Sequence, residues 1–234
     1  MILEIRHGPV RRGRRAVLEA GHITARMPAA VALVGINGSG KSSLFMQITD
    51  TLSSRGSASV MLDGRPATLA YVPQVPALPG WLRAEQVAAM FRLSFADLGR
   101  AMPGMYLTEM VGRRVATLSV GQRQALAIAI ALGRDADVTL MDEPFSALDF
   151  RRRICVLDLL RARRDAGRAV IMSSQSAADL IELCDRFVVI RDGRYVFDGS
   201  RTDLSDGTER DVEQRLLELL TMPAPAMEAP TRRH

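Results

Sequence analysis

The sequence predicts an α/β fold in which a mostly parallel sheet is flanked by helices. Helix and strand patterns alternate from residue 121 to residue 196, the order that a parallel sheet with covering helices requires. Short alternating apolar runs within residues 1–30 predict an N-terminal antiparallel β-subdomain. Helical apolar spacing over 82–110, broken at Met102-Pro103-Gly104, predicts an inserted helical region.

Further strands and a terminal helix complete the predicted elements. The runs 58–62 and 69–72 are predicted strands on either side of the turn Asp63-Gly64. An amphipathic helix at 209–220 is predicted to dock on its own domain. Its apolar face carries Val212, Leu216, Leu219 and Leu220.

These elements suggest how the chain is divided. We expect one domain over residues 1–222, in which the segment from about 75 to 135 is the helical insertion. The tail at 223–234 contains proline and small residues and is predicted to be disordered.

Composition argues against a membrane-spanning or disulfide-rich chain. The longest apolar stretch, 125–132, is too short for a membrane span, and the first residues alternate like a strand instead of forming a signal peptide. Cys155 and Cys184 lie in apolar helical patterns and suggest neither a metal site nor a disulfide. We therefore expect a soluble chain in a reducing, cytoplasmic setting.

Arginine clusters stand out against a modest net charge of +5 at pH 7. They lie at Arg11-Arg12-Gly13-Arg14-Arg15, at Arg151-Arg152-Arg153 and at Arg161, Arg163 and Arg164. Such clusters can bind nucleic acid or anionic lipid, but no nucleic-acid-reading motif accompanies them. We interpret them as solvated faces and expect no specific nucleic-acid partner.

A glycine-rich loop stands between an apolar strand and the start of a helix. The run 31–34 is apolar, and a helical pattern follows the motif G-x-x-x-x-G-K-S. Glycines let backbone N–H groups curl around phosphate oxygens, and the helix N-terminus adds partial positive charge. The sequence therefore predicts a phosphate-binding P-loop made of Gly35, Ile36, Asn37, Gly38, Ser39, Gly40, Lys41, Ser42 and Ser43.

Two side chains of this loop have predicted roles of their own. Lys41 is the only lysine of the chain and is expected to reach the β- and γ-phosphates. The Ser42 hydroxyl is expected to be a ligand of Mg²⁺. The chain is therefore predicted to bind a nucleotide.

Two carboxylates follow a second apolar strand. Asp142 and Glu143 emerge at the C-terminal end of the run 138–141, which is where open α/β sheets bind their ligands. Asp142 is predicted to hold the Mg²⁺ shell. Glu143 is predicted to orient or deprotonate an attacking water.

The segment Leu118-Ser119-Val120-Gly121-Gln122 resembles the Leu-Ser-Gly-Gly-Gln signature of the ATP-binding cassette (ABC) family. Ser119, Gly121 and Gln122 match it, whereas Val120 replaces the first glycine. A serine hydroxyl and backbone N–H groups at a helix N-terminus can bind an anion. The resemblance implies that this segment closes on the γ-phosphate of ATP held by the opposite subunit of a dimer.

Two further loops resemble those of the same family. Tyr71-Val72-Pro73-Gln74 is similar to its Q-loop, in which Gln74 would offer an amide oxygen to Mg²⁺ or to the attacking water. Ser146-Ala147-Leu148-Asp149 is similar to its D-loop. The resemblance covers about residues 1–200 and implies a P-loop NTPase core with ATP and Mg²⁺ as cofactors and Asp149 near the nucleotide.

Two positions depart from the family pattern. Gln175 replaces the histidine that contacts the γ-phosphate, and glutamine donates a hydrogen bond but cannot carry a proton or charge. We expect slow ATP hydrolysis that the substitution Gln175→His accelerates. The usual adenine-stacking aromatic is missing, and Arg12 either lays its guanidinium on the base instead or is surface charge.

The resemblance implies the ATPase subunit of a membrane transporter. Such a subunit lies peripherally on the cytoplasmic face of the inner membrane and pairs with a second ABC ATPase subunit, identical or different. Its partners are integral membrane permease subunits, which would contact a groove near Gln74 and Trp81; alternatively, Trp81 packs under its own loop. The residues Ser173-Ser174 and Leu183-Cys184-Asp185-Arg186 slightly favour export.

Other functions stay open at this stage. A soluble ABC ATPase that acts on ribosomes or DNA is the main alternative, although no long heptad run lies between Lys41 and Ser119. A small-molecule kinase with a P-loop would leave the signature segment without a role.

Overall fold

The computed structural model of the chain describes residues 1–50, 58–174, 177–205 and 207–221. The predicted tail at 223–234 lies outside these residues. In the described part the strands are β1 (Ile2–His7), β2 (Val10–Arg12), β3 (Arg15–Leu18), β4 (Gly21–Arg26), β5 (Ala29–Val34), β6 (Ala58–Leu62), β7 (Arg65–Pro66), β8 (Leu69–Val72), β9 (Val138–Asp142), β10 (Ala169–Ser174), β11 (Arg186–Arg191) and β12 (Arg194–Ser200). The helices are α1 (Lys41–Asp50), α2 (Ala84–Met90), α3 (Phe95–Ala101), α4 (Val120–Gly133), α5 (Phe150–Asp165), α6 (Ala177–Ile181), α7 (Arg201–Leu204) and α8 (Glu209–Thr221).

The central sheet has the strand order β12-β11-β5-β10-β9-β8. All neighbouring pairs are parallel except β11 with β12. Strands β5, β9 and β10 are buried at every position, as expected of parallel strands covered on both faces, and their sequences are correspondingly apolar. The predicted fold class, a mostly parallel sheet flanked by helices, is confirmed.

An antiparallel sheet of order β4-β1-β6-β7 lies beside this core, with β2 and β3 as a separate hairpin. Its strands alternate buried and exposed residues, and in β1 the buried positions include Leu3 and Ile5. The apolar face packs with the P-loop helix and one face of the central sheet in a single buried cluster. The predicted antiparallel β-subdomain is therefore present, and β6 and β7 extend it beyond the N-terminal residues.

The segment between β8 and β9 is helical, as predicted, but its breaks differ. Helix α2 ends at Met90, before Arg92, which has a positive φ of 59°. Helix α3 then begins after Ser94, whose hydroxyl accepts a hydrogen bond from the backbone N–H of Asp97 at 3.2 Å. The predicted break is present as well, because a short 3₁₀ turn, Pro103–Met105, follows α3.

Helix α8 docks on the chain that carries it, as its apolar face predicts. Val212 and Leu216 are fully buried, and Leu219 and Leu220 pack against the same cluster. The buried guanidinium of Arg191 donates a 2.6 Å hydrogen bond to the carbonyl of Leu219, close to the end of the helix. Across the described ranges, no helix is both long enough and apolar enough to cross a membrane.

Most of the arginine clusters are not solvated faces, contrary to our expectation. Arg163 donates to the carbonyls of Leu132 and Ala136, at the end of α4. Arg164 donates to the carbonyl of Leu183. Arginine suits this use because its planar fork reaches two acceptors at once. The cluster at residues 11–15 is exposed, as expected.

Candidate active site

The P-loop and the acidic pair converge on one edge of the central sheet. Ser174 of β10 lies opposite Val34 of β5, and Ser173 lies opposite Asp142 of β9. The P-loop begins one residue after Val34, and Glu143 follows Asp142. Because parallel strands end at the same edge, the phosphate loop and the two carboxylates are brought side by side.

The P-loop is packed so closely that two of its glycines cannot be replaced freely. A Cβ on Gly35 would lie 2.7 Å from the carbonyl oxygen of Ile190, and it would also meet the hydroxyl of Ser39. Gly40 has a φ of +108° and lies against the backbone of Val17. Any residue other than glycine at either position would therefore shift the loop from this conformation.

Lys41 is buried at the floor of the loop. Its ammonium donates hydrogen bonds to the carbonyls of Gly35, at 2.6 Å, and Ile36, at 3.3 Å. Burial lowers the pKa of Lys41, and the nearby carboxylates of Glu143 and Asp142 oppose that shift. The ammonium thus contacts the loop backbone and interacts electrostatically with the acidic pair.

A cavity of about 150 Å³ opens over this loop. It is lined by Arg12, Val17, Asn37, Gly38, Ser39, Gly40, Lys41, Ser42, Ser43, Gln74 and Glu143. A wider cavity of about 770 Å³ shares Arg12, Val17 and part of the loop and continues to Asp192, Gly193 and Arg194. The two together form a groove with a polar phosphate end and a broader end beside the β2–β3 hairpin.

Glu143 is held in an uncommon backbone conformation. Its φ is +48°, and its backbone N–H donates to both the carbonyl and the hydroxyl of Ser173, at 3.1 and 3.2 Å. A non-glycine residue at positive φ costs on the order of 1–3 kcal/mol, so it persists only when its surroundings fix it. The backbone of β10 fixes it here and directs a buried carboxylate to the cavity over the P-loop.

Ser173 also fixes the neighbouring carboxylate. Its hydroxyl donates to Asp142 Oδ1 at 2.5 Å, and both residues are buried. A carboxylate oriented by a second residue is a common arrangement in metal sites. No role at the site was predicted for Ser173, although a serine in the apolar strand Ile171-Met172-Ser173 is a signal for one.

The residues present fit ATP with Mg²⁺. The hydroxyl of Ser39 is buried and has no hydrogen-bond partner within the described part of the chain, so a phosphate oxygen would satisfy it. Ser42, Asp142 and Gln74 would hold Mg²⁺, because hydroxyl, carboxylate and amide oxygens are the ligands that this ion prefers. Mg²⁺ bound there would neutralise negative charge on the phosphates.

The signature segment caps helix α4. The Ser119 hydroxyl accepts from the N–H of Gln122 at 3.1 Å, and the Gln122 side chain accepts from the N–H of Ser119 at 3.0 Å. Gly121 lies against the D-loop, since a Cβ there would be 2.6 Å from the carbonyl oxygen of Ala147. Val120 is exposed, so its side chain does not disturb this cap.

The D-loop ends at Asp149, which caps the next helix. Its Oδ1 accepts from the backbone N–H of Arg152 at 2.9 Å, and Arg152 holds the pKa of this carboxyl below its usual value. Among the described residues, Ser119, Gly121, Gln122 and Asp149 do not line the cavity over the P-loop. Gln175 falls outside the described residues.

Gln124 is a second buried polar residue for which no role was predicted from the sequence. It is fully buried in α4, and its amide approaches the carbonyl of Pro144 at 3.5 Å. A glutamine within the apolar run that follows the signature is the signal that marks it.

Known proteins resemble this chain in sequence and in fold. Residues 19–146 match the ABC transporter family. The chain is 28% identical over 230 residues to the phosphonates import ATP-binding protein PhnC 2 of Roseobacter denitrificans, over 86% of this chain and 84% of that protein. It is 31% identical over 233 residues to the hemin import ATP-binding protein HmuV of Streptomyces coelicolor, over 90% and 82%.

A solved structure described as an ATP binding subunit of an ABC transporter has the same fold, with a TM-score of 0.76 and 24% identity over 93% of this chain and 100% of that one. Both sequence relatives are named for import, so the expectation of export finds no support. The P-loop, acidic pair and signature thus occur together in a chain of matching sequence and fold. The chain belongs to the ABC transporter family, as one of its ATP-hydrolysing ATP-binding subunits.

Proposed function

We propose that this subunit powers uptake through a separate integral membrane permease, working as one half of an ATP-binding dimer at the cytoplasmic face of the inner membrane. The observation that carries the proposal is the groove in which Lys41, Gln74 and Glu143 face one cavity over the P-loop. We further propose that the ABC ATPase domain spans residues 1–222 and includes the helical insertion at about 75–135.

Residues at the phosphate end of the groove bind the nucleotide and act in hydrolysis. The backbone N–H groups of residues 35–43 and the ammonium of Lys41 bind the phosphates, while Ser42, Asp142 and Gln74 hold Mg²⁺. Glu143 orients the attacking water and accepts its proton, a role supported by its buried carboxylate beside Lys41. We assign to Gln175 a hydrogen bond to the γ-phosphate and expect Gln175→His to speed turnover.

The second ATPase subunit completes the site. Ser119, Gly121, Gln122 and Asp149 stand apart from the P-loop cavity of their own chain and act on ATP held by the partner. The position of the signature at the N-terminus of α4 supports this role, because a helix N-terminus carries partial positive charge. Homodimer and heterodimer are both compatible with this arrangement.

The permease docks beside the Q-loop. Val75 and Trp81 are each 76% exposed and flank the proline-rich segment after Gln74. An exposed tryptophan beside rigid prolines is suited to anchor a partner, since aromatic anchors carry much of the energy of an interface. This exposure argues against the alternative that Trp81 packs under its own loop.

Import is favoured over export by the relatives, although they differ in cargo: one is named for phosphonates and the other for hemin. The cassette therefore does not define the cargo, which the permease selects.

The test uses Glu143→Gln, which binds MgATP but stalls before hydrolysis. The tagged variant is expressed in its native host, membranes are solubilised in mild detergent with MgATP, and co-purifying proteins are identified. We expect a polytopic permease at about one cassette per half-transporter. The control Lys41→Ala, which removes the phosphate-binding ammonium, should lose this ATP-dependent retention.

A second pair of variants locates the contact. Trp81→Ala should release the permease, whereas Leu217→Ala, on the exposed side of α8, should retain it. Recovery of Glu143→Gln with ribosomes or DNA and without a membrane partner would overturn the transporter proposal in favour of a soluble ABC ATPase.

A further inference from the structure

The helix that follows the D-loop begins with an unfavourable charge. Helix α5 carries Arg151, Arg152 and Arg153 in and next to its first turn, and this turn contains no acidic residue. Cations at a helix N-terminus oppose the helix dipole. Arginines in this position therefore need contacts that offset the cost.

Arg152 makes such contacts with two separate parts of the chain. Its Nη1 donates to Asp149 Oδ2 at 2.5 Å, on the D-loop side. On the side of the helical segment, its Nε donates to the carbonyl of Met105 at 3.3 Å, and its Nη2 pairs with Glu109 Oε2 at 3.4 Å. The guanidinium also lies 5.5 Å from the ring centroid of Tyr106.

The neighbouring arginines differ from it. Arg151 is exposed, and Arg153 turns to the other side of α5, where it pairs with Asp179 at 2.7 Å. The side chain of Arg152 is only 12% exposed although it carries a full charge. The contacts with residues 105–109 are thus specific to Arg152.

Arg152 also controls both oxygens of the D-loop carboxylate. Asp149 Oδ1 accepts from the backbone N–H of Arg152, and Oδ2 accepts from its guanidinium. The same guanidinium is fixed by the 3₁₀ turns at Pro103–Met105 and Leu107–Met110. The D-loop also contacts the signature directly, because Gly121 lies against Ala147.

We propose that Arg152 is a positioning residue that ties the D-loop carboxylate of Asp149 to the helical segment at 103–110, so that D-loop and signature approach the partner's ATP as one unit. This inference rests on the proposed function, since it concerns closure of the ATP-bound dimer. It predicts a loss in dimer closure and turnover without a loss in binding of ATP by the single subunit.

The test compares Arg152→Ala with Arg152→Lys and with the control Arg151→Ala, which removes the same charge from an exposed neighbouring position. Each is made in the wild-type chain for ATPase assays and with Glu143→Gln for ATP-dependent dimerisation by sedimentation. Arg152→Ala should lower kcat and weaken dimerisation by about tenfold, while Kd for MgATP stays within about twofold. Arg152→Lys should show nearly the same loss of kcat and of dimerisation as Arg152→Ala, because lysine lacks the planar fork.

A variant of Glu109, the partner of Arg152 on the helical segment, tests the proposal even if Arg152→Ala does not fold. Glu109→Gln should weaken dimerisation in the same direction, and in combination with Arg152→Ala it should add little further. Wild-type dimerisation in Arg152→Ala would overturn the inference, as would a parallel loss of ATP binding. Failure of Glu143→Gln itself to dimerise or to retain a permease would instead count against the proposed function.

Discussion

The hydroxyl of Ser173 donates a 2.5 Å hydrogen bond to Asp142, while its carbonyl and hydroxyl accept the backbone N–H of Glu143. One buried serine on β10 therefore orients the carboxylate of Asp142 and fixes the backbone of Glu143, which follows β9. This arrangement joins the proposed metal ligand to the proposed base through a single residue.

Replacing Ser173 by alanine should impair both Mg²⁺ binding by Asp142 and the action of Glu143 as base. The loss of its hydroxyl frees the Asp142 carboxylate and removes one of the two acceptors that hold Glu143 at positive φ. We expect a fall in kcat of about tenfold and a higher Mg²⁺ requirement, measured by steady-state ATPase assays over a Mg²⁺ titration. The control Thr139→Val removes a buried hydroxyl that has no partner within the described ranges, and it should leave turnover unchanged.

Gly121→Ala should separate the signature helix from the D-loop. The added Cβ would lie 2.6 Å from the carbonyl oxygen of Ala147, so one of the two segments must move. We expect turnover to fall by about tenfold, with Kd for MgATP nearly unchanged. Gly99→Ala, in open space on α3, is the matched control and should raise stability by up to about 1 kcal/mol. Equal activities of the two variants would refute the contact's importance.

Arg12→Ala tests the base contact. Arg12 lines both parts of the groove, and a guanidinium stacks on any purine. We expect affinities for ATP and GTP to fall alike, by about three- to tenfold, in calorimetric titrations. Arg14→Ala changes the same charge in the same hairpin outside the groove and should have no effect. If Arg12→Ala and Arg14→Ala behave alike, Arg12 is only surface charge.

Asp137 immediately precedes β9, at the end away from Asp142, and should contribute to the free energy of unfolding. Its carboxylate accepts from Arg65 at 2.9 Å on each oxygen, from the N–H and hydroxyl of Thr68, and from Arg168. The Arg65 guanidinium, with the Thr68 hydrogen bonds, holds the pKa of this buried carboxyl well below its usual range. Asp137→Asn should therefore lower the free energy of unfolding at pH 7 by about 2 kcal/mol.

The pH dependence of this effect has a defined sign. Because folding lowers the pKa of Asp137, its contribution is complete above the unfolded value of about 3.9 and is lost as the pH falls below it. Urea unfolding at pH 7 and 5 should show the same difference between wild type and Asp137→Asn, and the difference should shrink below about pH 4. Asp135→Asn, at an exposed position, is the control. A difference that grows on acidification would contradict this assignment.

The sequence predicted those parts of the site that are contiguous in the chain. Residues 35–43 carry strand, loop and helix signals together, and Asp142 and Glu143 end an apolar strand, so their placement follows from local pattern. Ser173 contacts Glu143 and Arg152 contacts Met105, and each of these partners lies 30 or more residues away in the sequence. Such contacts depend on register and on packing of separate elements, which local pattern does not specify.

The arginine clusters show the same limit. Their charge density predicts solvated surfaces, whereas Arg152 and Arg163 donate to carbonyls and carboxylates of distant segments. The break before α3 is a different case, because Ser94 followed by Asp97 is a local capping signal. The longer apolar spacing over 82–110 concealed it.

The most direct test of the account is the hydrolysis of MgATP by the purified chain and by Glu143→Gln, with binding measured in parallel. The account predicts that both bind MgATP with similar affinity and that the variant loses at least about 100-fold in kcat. Hydrolysis by Glu143→Gln at the wild-type rate would contradict the role of Glu143 as the base and with it the proposed mechanism.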